Sequence, residues 1–362
     1  MNIARLSNSL IAILILLHGL LCFINVAYAE PIKVGMTLPL TGKLGGYGAA
    51  FRNGVALFQE EDVQSQKQVT FIFDDSQYDG TKVSSAVRKL AAVDKVDLLY
   101  VWGVTPSQVA APIAQQSGVP LLAMTTDPVS KGRPGVASLQ LTLETLQSAI
   151  SHFVSDHNFK TTGIIVSDFG AATRLTELLK PHLPGLAYHE VVTTDSLDFR
   201  TLAARIRSKP VDAIILMVLP EQTLPLARQL ATQKVRAHVI GGDMLADEHL
   251  REELTAFMGE ASYVYGEVDA DFRKRYQARF GDTSHVYEAA AGYSAGLMIT
   301  DVARRSLNAK PVELMPLLVG PQYQTPIGEI RFQSSAEQGI AAMLKARVYS
   351  ERAYKLDPVR PQ

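Results

Sequence analysis

Cysteine is almost absent: Cys22 is the single example in 362 residues, which excludes a disulfide framework and any zinc site built on thiolates. A surplus of either charge is missing too, since 35 Lys and Arg stand against 36 Asp and Glu, a formal net charge of −1. No basic excess is available to neutralise a phosphate backbone, so nucleic acid is not an expected partner. The eight His are scattered without an HExxH pair. His152 and His157 lie five apart, off a common helix face, so no metal site is expected. P-loop and EF-hand patterns do not occur, and no G-x-G-x-x-G can be written, because Phe51 occupies the third place after Gly46-Tyr47-Gly48. No cofactor is therefore expected. Beyond residue 29 no run is long and apolar enough to span a bilayer, and no short tandem repeat is visible.

What is present is ordinary globular composition, 47% hydrophobic and 20% charged, which excludes disorder. The length exceeds one typical core, so two domains are expected. Residues 1–29 read as a secretory leader: Arg5 near the start, the aliphatic run Leu10 to Leu21, and Ala27-Tyr28-Ala29 at the end. The run falls short of the roughly 20 residues of a spanning helix, and His18-Gly19 interrupt it. Cleavage after Ala29 is expected. Lipid attachment at Cys22 is disfavoured because Leu21 stands where a small residue is needed. Removing the leader takes away Arg5 and the only Cys, leaving 34 basic and 36 acidic residues in an exported protein, with the periplasm as its expected compartment.

Strand and helix signals then alternate. Strands are expected at Ile32–Leu38, Val69–Phe73, Asp97–Trp102 and Val119–Met124, with helices at Tyr47–Glu60, Thr81–Ala92 and Pro106–Gln116. The stretch Thr125–Ser138 is rich in Pro, Gly and Ser and reads as a loop. The alternation resumes from Thr145 to Gly241, a helix-rich stretch covers Asp269–Phe280 and Val286–Ser306, and strands return near Ile327–Phe332 and Met343–Ser350. The fold class is α/β: two parallel sheets of similar size, each flanked by helices.

Ligands of open parallel sheets bind beyond the carboxyl ends of the strands, so the residues after each strand are the candidates. The first strand leads to a glycine-rich stretch containing Tyr47; the third to Gly103-Val104-Thr105-Pro106, with Thr105 as helix N-cap and Pro106 as first helical residue; the fourth to Thr125-Thr126-Asp127. In the second half come Ser167-Asp168-Phe169 and Gly241-Gly242-Asp243. Each also has a plain structural use, as cap, turn or core residue. Together they suit a zwitterion with an apolar tail. Its carboxylate would meet the N–H groups near Thr105 and the hydroxyls of Thr125 or Thr126, its ammonium would meet Asp243, and its tail would lie between Tyr47 and Phe169.

The segments IKVGMTLPLTGKLGGYGAAFRNGVALF, FIFDDSQYDGTKVSSAVRKL, GVPLLAMTTDP and YEAAAGYSAGLMI, taken in order, resemble the Leu/Ile/Val-binding protein family, the type I periplasmic solute-binding proteins of ABC transporters. The resemblance spans residues 31–355. It implies two lobes that close on a ligand across three hinge crossovers, with residues 30–140 and 266–341 in lobe 1 and residues 141–265 and 342–358 in lobe 2. It puts Tyr47 over the ligand, Val104-Thr105 and Thr126 (with Thr125 before it) at the carboxylate, Phe169 where a tyrosine is usual, and Asp243 at the ammonium. Val104 replaces a common serine, Phe169 lacks a phenol oxygen, and Leu219-Pro220 stand where another tyrosine often sits, so the pocket is more apolar and poorer in donors than is usual. The implied function is capture of an amino acid or related small acid or amide and delivery to an ABC permease in the inner membrane, by a monomer that is not an enzyme.

Two other functions fit single features. The same lobes would serve a periplasmic ligand sensor. Gly292-Tyr293-Ser294-Ala295-Gly296 matches the G-x-S-x-G of a serine hydrolase, but Glu288-Ala289-Ala290-Ala291 before it is helical, not the strand that a nucleophile elbow needs. The small residues read as a tightly packed helix.

Overall fold

The computed structural model describes residues 30–350 apart from 169, 282–283 and 307–310. The expected leader with Cys22, Phe169, and residues 351–358 of the expected second lobe lie outside the described residues. The unit that starts at Ile32 holds two large sheets.

The first sheet uses β1 (Ile32–Leu38), β2 (Val69–Asp75), β3 (Leu98–Trp102), β4 (Leu121–Thr125) and β5 (Val136–Gln140). The second uses β6 (Thr162–Ser167), β7 (Leu186–Val192), β8 (Ala213–Met217), β9 (Ala237–Gly241) and β10 (Gly259–Gly266). Near the C-terminus, β11 (Tyr323–Thr325) and β12 (Gly328–Ile330) form a separate hairpin. β13 (Gln333–Ser335) and β14 (Gly339–Met343) join the first sheet, and β15 (Ala346–Ser350) joins the second. The orders are β13-β14-β5-β4-β3-β1-β2 and β15-β10-β9-β8-β6-β7. Only the outermost pairings, β13 with β14 and β15 with β10, are antiparallel; the rest are parallel. Strands such as β3 (LLYVW) and β8 (AIILM) are apolar without alternation because helices cover both faces of a parallel sheet. Each aliphatic side chain buried there contributes about 1.5–3 kcal/mol.

The expected loop over Thr125–Ser138 is shorter than its composition suggests. Its end is the fully buried strand β5, VASLQ, which pairs with both β4 and β14. Its small residues weaken the strand signal, while the neighbours on both sides supply the ladder. The strand expected near Ile327–Phe332 is likewise the short hairpin β11–β12.

The chain passes between the sheets three times: after β5, after β10, and between β14 and β15. These passages bond to one another. Leu344 N–H donates to the Gln140 carbonyl (2.7 Å) and Glu267 N–H to the Lys345 carbonyl (3.2 Å). The Tyr349 hydroxyl donates to the Gly266 carbonyl (2.9 Å) and accepts from Val268 N–H (3.1 Å).

Three helices of the first sheet bear on the site: α1 (Gly45–Glu61), α2 (Gly80–Ala92) and α3 (Val104–Ser117). The second sheet carries α4 (Leu143–Asp156), α5 (Gly170–Leu179), α6 (Arg200–Ile206), α7 (Pro220–Thr232) and α8 (Glu248–Met258). After β10 the chain returns through α9 (Ala270–Phe280) to α10 (Val286–Arg305), which lies on α1. That contact is close because it is made by glycines. A Cβ on Gly292 would stand 2.1 Å from the Phe51 carbonyl oxygen, and one on Gly54 would stand 1.8 Å from that of Ala289. Ser294, inside the G-x-S-x-G, is fully buried in α10, and its hydroxyl donates to the Ala290 carbonyl (2.7 Å).

Candidate functional site

The carboxyl ends of the first sheet's strands bring aromatic rings together. Asp75 ends β2 and fixes the loop after β1: its carboxylate accepts from Leu40 N–H (2.8 Å), Thr41 N–H (3.3 Å), Gln77 N–H (3.0 Å) and the Thr41 hydroxyl. Burial alone would raise the Asp75 carboxyl; these donors outweigh it and hold it below the usual range. The loop so fixed starts α1, whose first turn carries Tyr47. Gly48 packs on the same loop, since a Cβ there would stand 2.1 Å from the Pro39 carbonyl oxygen. The Tyr47 ring lies 4.2 Å from His285, just before α10, and 5.7 Å from Trp102, the last residue of β3. Trp102 in turn meets Tyr78 edge-on at 5.8 Å.

The start of α3 differs from expectation. Thr105 is not the N-cap. Gly103 is, at φ 103° and ψ 161°, and Ser107 N–H donates to its carbonyl (3.0 Å). Only glycine suits that position, because of its φ and because a Cβ there would stand 2.3 Å from the Tyr78 ring. The helix starts earlier than the hydroxyl suggests, and Thr105 is exposed. The Tyr78 hydroxyl caps the helix in place of a side chain from the turn: it accepts from Val104 N–H (3.2 Å).

Thr125 and Thr126 turn inward on their own turn. Thr125 Oγ1 accepts from Asp127 N–H (3.2 Å), and Thr126 Oγ1 lies 3.5 Å from Asp127 Oδ1. Asp127 also accepts from Gln108 Nε2 (3.1 Å) and pairs with Arg174 of α5 (3.2 Å). That pair reaches from one sheet's edge to the other's. So does Lys43–Glu221 (3.2 Å), and so does the bond that the Tyr47 hydroxyl donates to Asp243 Oδ2 (3.2 Å).

Asp243 follows β9 and opens the short 3-10 turn Asp243–Ala246, while Asp247 caps α8 by accepting from Leu250 N–H (2.9 Å). Burial raises the Asp243 carboxyl; the Tyr47 hydroxyl and the nearby His285 oppose that only in part. Glu288, in the first turn of α10, is fully buried. The Tyr265 hydroxyl, near the end of β10, donates to its Oε1, and its Oε2 has no hydrogen-bond partner. Burial, reinforced by the charge on Asp243, pushes the Glu288 carboxyl up to about 8. Burial first, and Asp243 and Glu288 after it, raise the Tyr47 phenol as well, so it stays a donor at any physiological pH.

Of the residues expected from sequence, Tyr47 and Asp243 meet directly, Val104 bonds the Tyr78 hydroxyl through its N–H with Thr105 exposed beside it, and Thr125 and Thr126 serve the Asp127 turn. Phe169 falls outside the described residues. Tyr78, Trp102, Tyr265, His285 and Glu288 were not anticipated. Tyr78 and Trp102 obey the strand-end rule used for the others. Glu288 had its own signal, an acid in the small, apolar run VYEAAAGYSAGLMI.

Two antiparallel-edged parallel sheets with three crossings between them can be compared with known proteins. The profile of the periplasmic binding protein family matches residues 31–353. The chain belongs to that family. A curated relative, the Leu/Ile/Val-binding protein BraC3 of Rhizobium johnstonii, is 28% identical over 243 residues, 63% of this chain. The match spans 65% of that relative's length, just under two thirds. Among solved structures, the branched-chain amino acid transporter substrate binding protein LivJ of Streptococcus pneumoniae, in complex with isoleucine, has a TM-score of 0.75 at 19% identity, over 88% of this chain and 95% of that one. A solute-binding protein of an R. palustris ABC transporter, in complex with benzoate, has a TM-score of 0.71 at 16% identity, over 91% and 100%. At such identities the likeness establishes the fold. Membership sets the chain among binding proteins rather than hydrolases, and the buried helical Ser294 agrees with that.

Proposed function

We propose that the chain is an exported solute-binding protein that captures a small molecule between two lobes and delivers it to an ABC-type importer of the inner membrane. The lobes follow the expectation from sequence with one shift: residues 30–140 with 266–343 form the first, because β14 runs to Met343 and pairs with β5 of the first sheet, and residues 141–265 with the chain from Leu344, rather than from 342, form the second. Their hinge is the bonded set of three passages around Gln140, Gly266 and Leu344. The observation that carries the reading is the Tyr47–Asp243 hydrogen bond, because it joins the edges of two different sheets at the place where parallel sheets bind ligands. The family relationship supports the mechanism: contacts available only when both lobes meet shift an open–closed equilibrium toward closure. The relatives' ligands, isoleucine and benzoate, give the size class.

A thermal-shift screen of the purified protein against amino acids, small acids, amides and amines tests this. At least one compound raises the melting temperature by mass action, binds one to one, and reduces the radius of gyration in solution scattering. A screen with no binder, or turnover of any compound, overturns the proposal. With the compound in hand, Asp243→Ala weakens an amine-bearing ligand more than Tyr47→Ala does; equal or reversed losses in calorimetry remove Asp243 from the ammonium role.

A further inference from the structure

Building on that reading, we infer that the crevice selects an alkyl- or arylammonium ion that carries no carboxylate. Its N–H groups go to Asp243 and to the unpartnered Oε2 of Glu288, and its apolar body lies against Tyr47 and Trp102. The first argument is charge. Two carboxyl groups, the fully buried Glu288 and the half-buried Asp243, are held in one cluster, and a carboxylate taken out of water needs a positive partner or a proton. A neutral amide leaves the proton in place and gains no charge attraction, and a carboxylate adds a like charge. The basic side chains that bridge the sheet edges are committed to acids, Lys43 to Glu221 and Arg174 to Asp127.

The second argument is the place where an amino acid's carboxylate would be gripped. Val104 supplies no hydroxyl there, and its N–H already bonds the Tyr78 phenol. The hydroxyls of Thr125 and Thr126 lie within bonding range of Asp127. Of the donors that would recognise a carboxylate, the Val104 N–H and the Thr126 hydroxyl are thus used internally, while the Thr125 oxygen accepts from Asp127 N–H and keeps its own proton. The third argument is the wall: Tyr47, Trp102 and Tyr78 form a contiguous aromatic surface, and ring faces attract cations.

Protons must balance. The groups facing the pair are Tyr47 from α1, Asp247 beyond Asp243, Tyr265 from β10 and His285 before α10. Both carboxyls are raised, Glu288 to about 8, so the cluster holds a proton at neutral pH that an incoming cation displaces. Affinity then rises with pH across the neutral range.

The experiment is titration calorimetry with isopentylamine, leucine and isovalerate, which share one apolar body, and with phenethylamine, phenylalanine and benzoate as a second series. An amine binds at least about tenfold more tightly than its amino acid, a difference of about 1.4 kcal/mol, and the acids do not bind. The apparent enthalpy differs between phosphate and Tris buffers because a proton is released. Glu288→Gln, with its melting curve recorded as a folding check, loses both the amine preference and the proton release. Tyr78→Phe frees the Val104 N–H and strengthens leucine binding relative to isopentylamine. Tighter binding of leucine, phenylalanine or either acid overturns the inference while leaving solute capture standing, and so does failure of both amines when another compound in the screen binds.

Discussion

Helices α1 and α10 meet in two different ways along one contact. In their middles the surface is dry and made of glycine, alanine and phenylalanine; Gly54, Gly292 and Gly296 let backbone approach backbone or ring. At their N-terminal ends the same two helices present Tyr47, His285 and Glu288, groups with polar atoms held at a sheet edge. One turn of α10 separates Glu288 from Gly292. Dispersion and shape govern the first region, and desolvation of charge governs the second. A methyl group is therefore costly in the middle and unimportant in chemistry, whereas a single oxygen at the end changes what the crevice binds.

The sharpest way to break this comparison is to crowd the middle. Gly292→Val places a branched side chain where even a Cβ stands 2.1 Å from the Phe51 carbonyl oxygen. Because backbone must shift, destabilisation of about 3 kcal/mol or more is expected in denaturant unfolding, with ligand affinity at low temperature little changed. A neutral effect on stability would mean that the helices are not in close contact.

Next in size is the pH dependence that the N-terminal end imposes on stability. Glu288 has a folded-state carboxyl raised from 4.5 to about 8 by burial first and by Asp243 after it, against the help of the Tyr265 hydroxyl. Between those values the folded state binds more protons than the unfolded state. The stability is therefore fully present below about pH 4.5 and is lost as pH rises through about 8. Asp243, raised in the same direction, adds to the slope. Denaturant midpoints measured across this window fall with rising pH in the wild type and fall less steeply in Glu288→Gln. Parallel profiles for the two proteins would show that Glu288 ionises as freely as a surface acid.

The same contrast explains what the sequence reveals. Period and composition announce the dry region: the small residues of α10 are read as packing although they spell a hydrolase motif, and β3 and β8 are read as buried strands from their uninterrupted apolar runs. The strand-end rule also finds Tyr47 and Asp243. It does not reveal that Tyr78 would cap a helix 26 positions away, because that bond depends on the juxtaposition of two loops that local pattern does not encode. Thr105 misleads for the same reason. A hydroxyl before a Pro is a good cap in isolation, but Gly103, at a φ of 103° and with a ring where its Cβ would be, starts the helix earlier. Glu288 is legible only as an anomaly, an acid in an apolar run, and its partner Tyr265 comes from the other side of a chain crossing.

The smallest expected effect lies at the rim, outside both regions. Lys43–Glu221 and Arg174–Asp127 also join the two sheet edges, so by connectivity alone they rank with Tyr47–Asp243. By energy they do not. The side chains of Lys43 and Glu221 are 88% and 44% exposed, and such pairs contribute about 0–1 kcal/mol before salt screens them. Asp127 is more covered, at 22%, and also accepts from Gln108, so its arginine matters somewhat more. Lys43→Gln should change ligand affinity less than about twofold, and Arg174→Gln by a few-fold at low salt and less at high salt, in calorimetry at both ionic strengths. If Lys43→Gln instead cost as much affinity as Asp243→Asn, number of cross-sheet contacts rather than burial of charge would set the strength of closure.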